Sequence, residues 1–133
     1  MKYLILGSSG LIGQGLTKYL KNSGHTVIEF DLKNSANQDL RIPNNQLLQS
    51  LLSTVDFVYF LAYDIGGSKF LANTQNNFEV MQNNLKITIN TFEWLKHHSV
   101  PFIFSSSQMS TMPHSNYGLT KRLGEKLTEM LSG

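Results

Sequence analysis

The sequence predicts a doubly wound α/β domain, a parallel sheet of four to five strands with helices on both faces. Three observations predict it. Short apolar runs at Lys2–Leu6, Thr26–Phe30, Phe57–Leu61 and Phe102–Phe104 alternate with helical patterns, and a βαβ alternation is built as a parallel sheet. The first run opens into glycines at 7, 10 and 13 and then into a helix, the form of a phosphate-binding turn. The chain has 133 residues, 41% hydrophobic and 15% charged, which is enough for one core and too few for two ordinary domains. Residues 1–133 are therefore expected to form one domain.

In the opening unit, Gly7 can take the bend out of the strand and Gly10 leaves no side chain where a diphosphate would approach. Gly13 lets the following helix pack closely. That helix carries Leu11, Ile12, Leu16, Tyr19 and Leu20 as an apolar face and Gln14, Lys18 and Lys21 as a polar one, and Asn22-Ser23-Gly24 stops it. Residues 34–45 are polar, contain Pro43 and read as a connection before a short helix at Gln46–Leu52. From about Asn76 to His98 a long helix places Phe78, Met81, Leu85, Ile89, Phe92 and Leu95 on one stripe, with Ile87 and Trp94 off it. Such a helix has more than the sheet to cover it, and either a second copy of the chain or intramolecular burial satisfies that need. In the last helix, Leu119, Leu123, Leu127 and Leu131 form a ridge at four-residue spacing, while Tyr117 and Lys121 share a different face.

Bulk composition excludes several classes. A net charge of +2 is too small to call for nucleic acid or a membrane surface. With no cysteine, and with histidines only at 25, 97, 98 and 114, neither a disulfide framework nor a metal site is expected. The apolar start breaks at Gly7, shorter than a signal-peptide core or a membrane span, so a cytoplasmic location is expected.

Two groups of residues could carry chemistry. Asp31 ends the second strand, 24 residues after Gly7, where a carboxylate accepts hydrogen bonds from adenosine ribose hydroxyls and repels a 2′-phosphate. That favours NAD over NADP, with Lys33 the residue that would blur the preference. Tyr117 and Lys121 follow the Ser105-Ser106-Ser107 run at a strand end. A tyrosine removes a proton from a substrate hydroxyl only if its pKa falls from about 10 toward neutral, roughly 3 units or about 4 kcal/mol. Lys121, one turn along, is the positive charge that can supply this, and a serine from the strand end can fix the same substrate oxygen.

Taken together these residues resemble the amino-terminal part of the NAD-dependent epimerase/dehydratase family, extended short-chain dehydrogenases/reductases that act mostly on nucleotide sugars. Gly7, Gly10 and Gly13 match its spaced-glycine turn, with Ser9, Leu11 and Ile12 between them, and Asp31 matches its ribose-binding acid. Asp39-Leu40 resembles the acidic-aliphatic pair set against the adenine. Leu61-Ala62 followed by Tyr63 resembles the Leu-Ala-Ala at a strand end, and Asn84 falls where the family has a cofactor-side asparagine. Phe-Ile-Phe-Ser-Ser-Ser at 102–107 resembles the strand whose third serine is catalytic, which gives that role to Ser107 with Ser106 in reserve and puts Ser105 beside the cofactor. Tyr117 and Lys121 match the base and its supporting lysine, which also holds the nicotinamide ribose. Asp64-Ile65-Gly66-Gly67 is similar to a run in the GDP-mannose epimerase and GDP-fucose synthase branches.

The resemblance implies a Rossmann-like domain binding NAD, hydride transfer on a nucleotide sugar, and a homodimer through the helices at 76–98 and 115–131. Two departures stand out. Ser107 and Tyr117 lie only 10 residues apart, closer than usual in the family, and the sequence stops one helix after the motif, so a truncated form without the substrate lobe is expected. Three hypotheses follow. They are a nucleotide-sugar epimerase, dehydratase or reductase, as a fragment of a longer enzyme, a chain whose site another chain completes, or a natural short form with weakened activity; an NAD-binding module without turnover that stabilises a dimer or a partner chain; and an interaction domain that has lost its ligand. Joint retention of Gly7, Gly10, Gly13, Asp31, Tyr117 and Lys121 argues against the third.

Overall fold

The computed structural model describes residues 1–63, 78–105 and 116–132, without the side chains of Asn116 and Tyr117. Its elements run β1 (Lys2–Leu6), α1 (Leu11–Asn22), β2 (Thr26–Phe30), α2 (Gln46–Leu52), β3 (Phe57–Phe60), α3 (Phe78–His98), β4 (Phe102–Phe104) and α4 (Asn116–Ser132). Among the described residues the strands form one parallel sheet in the order β2-β1-β3-β4. The chain winds outward on one side of β1, then returns to its other side. This reversal opens a crevice at the carboxyl end of β1, the place where doubly wound sheets bind ligands.

Strand alternation sets the core. Leu4 and Leu6 of β1 and Val58 and Phe60 of β3 are fully buried on one face, with Phe30, Leu48, Leu52, Phe92 and Leu95 packed on them. Phe60 anchors an aromatic cluster, its ring centroid 5.5 Å from Phe92 and 5.2 Å from Phe104. Burial of one such ring contributes about 2–3 kcal/mol.

The connection after β2 lacks regular structure, yet its backbone is well held. Asn45 caps α2 by accepting the Leu48 N–H (3.0 Å), and its amide donates to the carbonyls of Asn37 (2.8 Å) and Asp39 (3.0 Å). From α3, the Asn90 amide donates to the Leu40 carbonyl (3.1 Å) and the Trp94 indole to that of Pro43 (3.3 Å).

Helix faces are where the structure departs from the sequence pattern. In α1 the buried residues are Gly13, Thr17 and Leu20, while Leu11 and Ile12 are 93% and 70% exposed and Tyr19 also faces out. In α3 the inward face is Val80, Asn84, Ile87, Thr88, Thr91 and Leu95. Phe78, Leu85 and Ile89 of the expected stripe are exposed. In α4 Gly118, Thr120, Lys121 and Gly124 are buried, whereas Leu119 is exposed and only Leu127 and Leu131 of the ridge reach the core. The common cause is distance. A small residue lets a helix axis come close to the sheet: a Cβ added at Gly124 would lie 2.3 Å from the Phe104 ring, so the larger apolar side chains are left on the flanks.

Candidate functional site

The loop between β1 and α1 is tied to its neighbours through backbone groups. Gly7 and Ser8 donate N–H to the Phe30 carbonyl at the end of β2 (2.8 and 3.4 Å), and Ser9 donates to the Asp31 carboxylate (2.9 Å). Gly7 has φ +94°, and a Cβ there would meet the Ala62 nitrogen at 2.8 Å. A Cβ on Gly13 would sit 2.2 Å from the Gly7 carbonyl oxygen. These two glycines are therefore required by the fold itself. Gly10 differs: its added Cβ would find only the Gly7 oxygen, at an ordinary 3.5 Å.

Space is thus left at Gly10, directly before the N-terminus of α1. No side chain caps that helix and its first turn holds no acidic residue. Its leading N–H groups have no carbonyl one turn back to serve, which suits them to an anion. With the Ser9 amide engaged by Asp31, the amides from residue 11 onward are the ones left open to an anion, flanked by exposed Leu11 and Ile12. The residues present fit a dinucleotide.

At the end of β2, Asp31 is positioned from both ends. Its Oδ2 accepts from Ser9 and its Oδ1 from the Lys33 N–H (2.9 Å), and its own N–H donates to the Gln38 side chain (2.9 Å). Each carboxylate oxygen keeps a lone pair for a ribose hydroxyl. Asp39 is held by Arg41 through two guanidinium bonds of 2.9 and 2.8 Å, and these hold its carboxyl below the usual value. Leu40 points into the hydrophobic core rather than outward, so it anchors this segment from within.

Across the crevice, Leu61, Ala62 and Tyr63 leave β3 beside Gly7, and the Leu61 N–H donates to the Leu6 carbonyl (2.9 Å). Asn84 is buried on the inward face of α3. Ser105 leaves β4 with its N–H on the Phe60 carbonyl (3.0 Å). Lys121, 2% exposed, donates from Nζ to the Ser105 carbonyl (2.7 Å) and hydroxyl (3.2 Å). Its ammonium lies 4.0 Å from the Tyr63 ring centroid and 4.8 Å from that of Phe104. Burial pushes its pKa down to about 8, against the opposing pull of Glu125. An exposed surface pair at Tyr117 and Lys121 is thereby ruled out for the lysine.

Tyr117 lies in the first turn of α4, one turn before Lys121. Its side chain, Ser106, Ser107 and the Asp64–Gly67 run lie outside the described residues. The sequence pattern did not single out Thr88 and Thr120, which hold the Tyr63 hydroxyl beside the lysine; the polar spacing Asn84, Thr88, Thr91 on a buried helix face was the available signal. Among the described residues no His, Cys, Asp and Glu cluster could hold a metal, and no helix is long and apolar enough to cross a membrane.

A parallel sheet reversed about β1, with a glycine turn at its crevice, defines a Rossmann-like α/β domain. The chain belongs to the NAD dependent epimerase/dehydratase family, whose model matches residues 3–132. It is 30% identical over 125 residues to GDP-mannose 3,5-epimerase 1 of Oryza sativa subsp. indica, covering 85% of this chain and 32% of that protein. Among solved structures it superposes on MoeE5 in complex with UDP-glucose and NAD with a TM-score of 0.80 at 23% identity, covering all of this chain and 50% of that one. A short-chain dehydrogenase/reductase superfamily protein from Agrobacterium tumefaciens with bound NAD gives a TM-score of 0.78 at 24% identity, covering 98% and 44%. The chain thus spans about a third of the rice protein's length and about half of those solved chains.

Proposed function

We propose that this chain is the NAD-holding part of a nucleotide-sugar epimerase or dehydratase in which Tyr117 and Lys121 handle a proton on the sugar. The observation that carries the reading is Lys121. A buried ammonium costs free energy, and this one sits at the carboxyl edge of the sheet, one helical turn after a tyrosine. The family membership and the nucleotide-sugar names of the similar proteins support the substrate class.

Bound NAD supplies a hydride acceptor and donor. The chain's own residues do the rest. Room at Gly10 and the open N-terminus of α1 receive the diphosphate, and Asp31 accepts from the ribose hydroxyls, its charge favouring NAD over NADP. Lys121 lowers the pKa of the Tyr117 phenol so that it takes the proton from a sugar hydroxyl near neutral pH. Ser107, with Ser106 as its substitute, steadies the same oxygen.

Purified protein should carry or take up NAD, and GDP-mannose or UDP-glucose should then change its nicotinamide absorbance. Tyr117→Phe should lower that reaction by about 10²–10⁴-fold while NAD still binds. Unchanged turnover in this variant would remove the mechanism. NAD uptake with no response to any nucleotide sugar would favour the cofactor-binding module instead.

The flanks of α3 and α4 are proposed to join in a homodimer. Leu85, Ile89 (51% exposed), Leu119 and Met130 lie uncovered there, and an apolar groove between the helices is lined by Ile89, Phe92, Leu127 and Met130. A second copy of the same two helices offers a matching apolar face. Sedimentation is expected to give a dimer, and Ile89→Lys a folded monomer whose melting temperature is lower than wild type and independent of protein concentration. A wild-type chain that stays monomeric at high concentration would remove this interface.

A further inference from the structure

We propose that Tyr63 is a positioning residue for Lys121: its ring is the seat on which the ammonium rests, and its hydroxyl fixes that seat to two helices at once. This inference rests on the reading that Lys121 serves Tyr117. It concerns a position where the chain departs from the small residue of the resembling family pattern.

The geometry is specific. Tyr63 is the third residue after β3, so its backbone is held by the sheet next to the glycine loop. Its hydroxyl meets the Thr88 hydroxyl of α3 and donates to the Thr120 carbonyl of α4 (3.1 Å). Thr120 directly precedes Lys121, so the phenol bonds the same turn that carries the lysine. The ammonium then lies 4.0 Å over the ring, a distance at which the negative face of an aromatic attracts a cation, most strongly away from water. Phe104 of β4 flanks it at 4.8 Å and Ser105 accepts two of its protons. Among the charged groups described, Glu125 on α4 is the one that acts on Lys121. Phe104 of β4, with Tyr63 and Ser105 just beyond the ends of β3 and β4, face it from the sheet, and α3 touches the seat through the Thr88 hydroxyl on Tyr63.

Such a seat has two effects. It favours the charged form of a lysine that burial would otherwise neutralise, and it restricts a long flexible side chain to one direction. Both serve a residue whose task is to present a positive charge to a phenol and a ribose.

The test follows the ammonium itself by NMR, in lysine-labelled protein without cofactor, with Lys121→Met assigning the signal. Tyr63→Phe keeps the ring and loses the two hydroxyl bonds, so the melting temperature should fall while the Lys121 titration stays where it is. Tyr63→Leu keeps apolar bulk and loses the ring, so Lys121 should titrate about one pH unit lower. Progressively fluorinated phenylalanines at position 63 keep the shape of Phe and weaken the ring face, and they should lower the Lys121 titration stepwise even if the leucine variant does not fold. A titration unmoved along the fluorinated series would overturn the proposal and leave Tyr63 as a clasp between helices. These readouts need no NAD and no sugar, so a protein that binds neither can still show the seat, and the functional reading then fails separately.

Discussion

Gly13→Ala is expected to cost about 3 kcal/mol of stability or more, whereas Gly10→Ala should change it by less than about 1 kcal/mol. Both replace a glycine of the same turn with the same residue. In the interior of an ordinary helix the first change would gain about 1 kcal/mol, because alanine is the better helix former. Here the added Cβ would lie 2.2 Å from the Gly7 carbonyl oxygen and 2.9 Å from the Ser8 Cα. Those are backbone atoms with no rotamer to yield, so α1 must move off the sheet. At Gly10 the backbone is at φ −70° and ψ 171°, which alanine adopts without strain, and no protein atom lies closer than 3.5 Å. In the NAD-bound form proposed above, what the methyl would meet there is the approach of the diphosphate. The Kd for NAD should therefore rise at least tenfold, about 1.4 kcal/mol, with little change in denaturant midpoint. Calorimetric titration and urea unfolding of the two variants measure this. NAD binding at wild-type strength by the Gly10 variant would mean that the turn is a packing device and nothing more.

Lys121→Met should remove about 10³-fold of any turnover and leave a pH signature in stability. Burial lowers the lysine's pKa from 10.5 to about 8. Below pH 8 the folded and unfolded chains both hold the proton, and the folded state bears the full cost of the buried charge. As pH rises through 8 the folded lysine releases its proton while the unfolded one keeps it until near 10.5. The unfolded state then binds more protons, so stability rises across that window. A gap of this size is worth about 3 kcal/mol. The methionine variant loses the donor to Ser105, a constant offset, and lacks the rise. Unfolding free energies of the two proteins should thus converge or cross in favour of wild type between pH 8 and 10.5. Parallel curves through this range would show that Lys121 is better solvated than its burial implies.

Much of this protein was legible in the order of its residues. The boundaries of β1, β2 and β4 are those the sequence pattern gives, because β-branched and aromatic runs bounded by Gly, Asp or Pro are short-range signals, and α2 follows the polar Pro43-containing connection as expected. The same holds for the need for glycine at 7 and 13. Side-chain facing was not legible. Leu11, Ile12, Leu85, Ile89 and Leu119 have the periodicity of a core and lie outside it. Helical spacing identifies an apolar stripe, and it carries no information on how near the helix axis will come to the sheet.

What the sequence by itself determined is an alternating strand–helix order and a phosphate-type turn, both consequences of local conformational preference and apolar periodicity, and a family resemblance carried by the glycine, Asp31, serine and Tyr117/Lys121 motifs. Only the tertiary structure decided that Thr17, Thr120 and Gly124 would face inward, that Leu40 would turn into the core, and that Lys121 would rest on Tyr63 and Ser105, which lie 58 and 16 positions away in the chain. The physical reason is that contact between elements depends on the distance at which surfaces touch, which is set by side-chain volume on both partners at once and is written in neither segment alone.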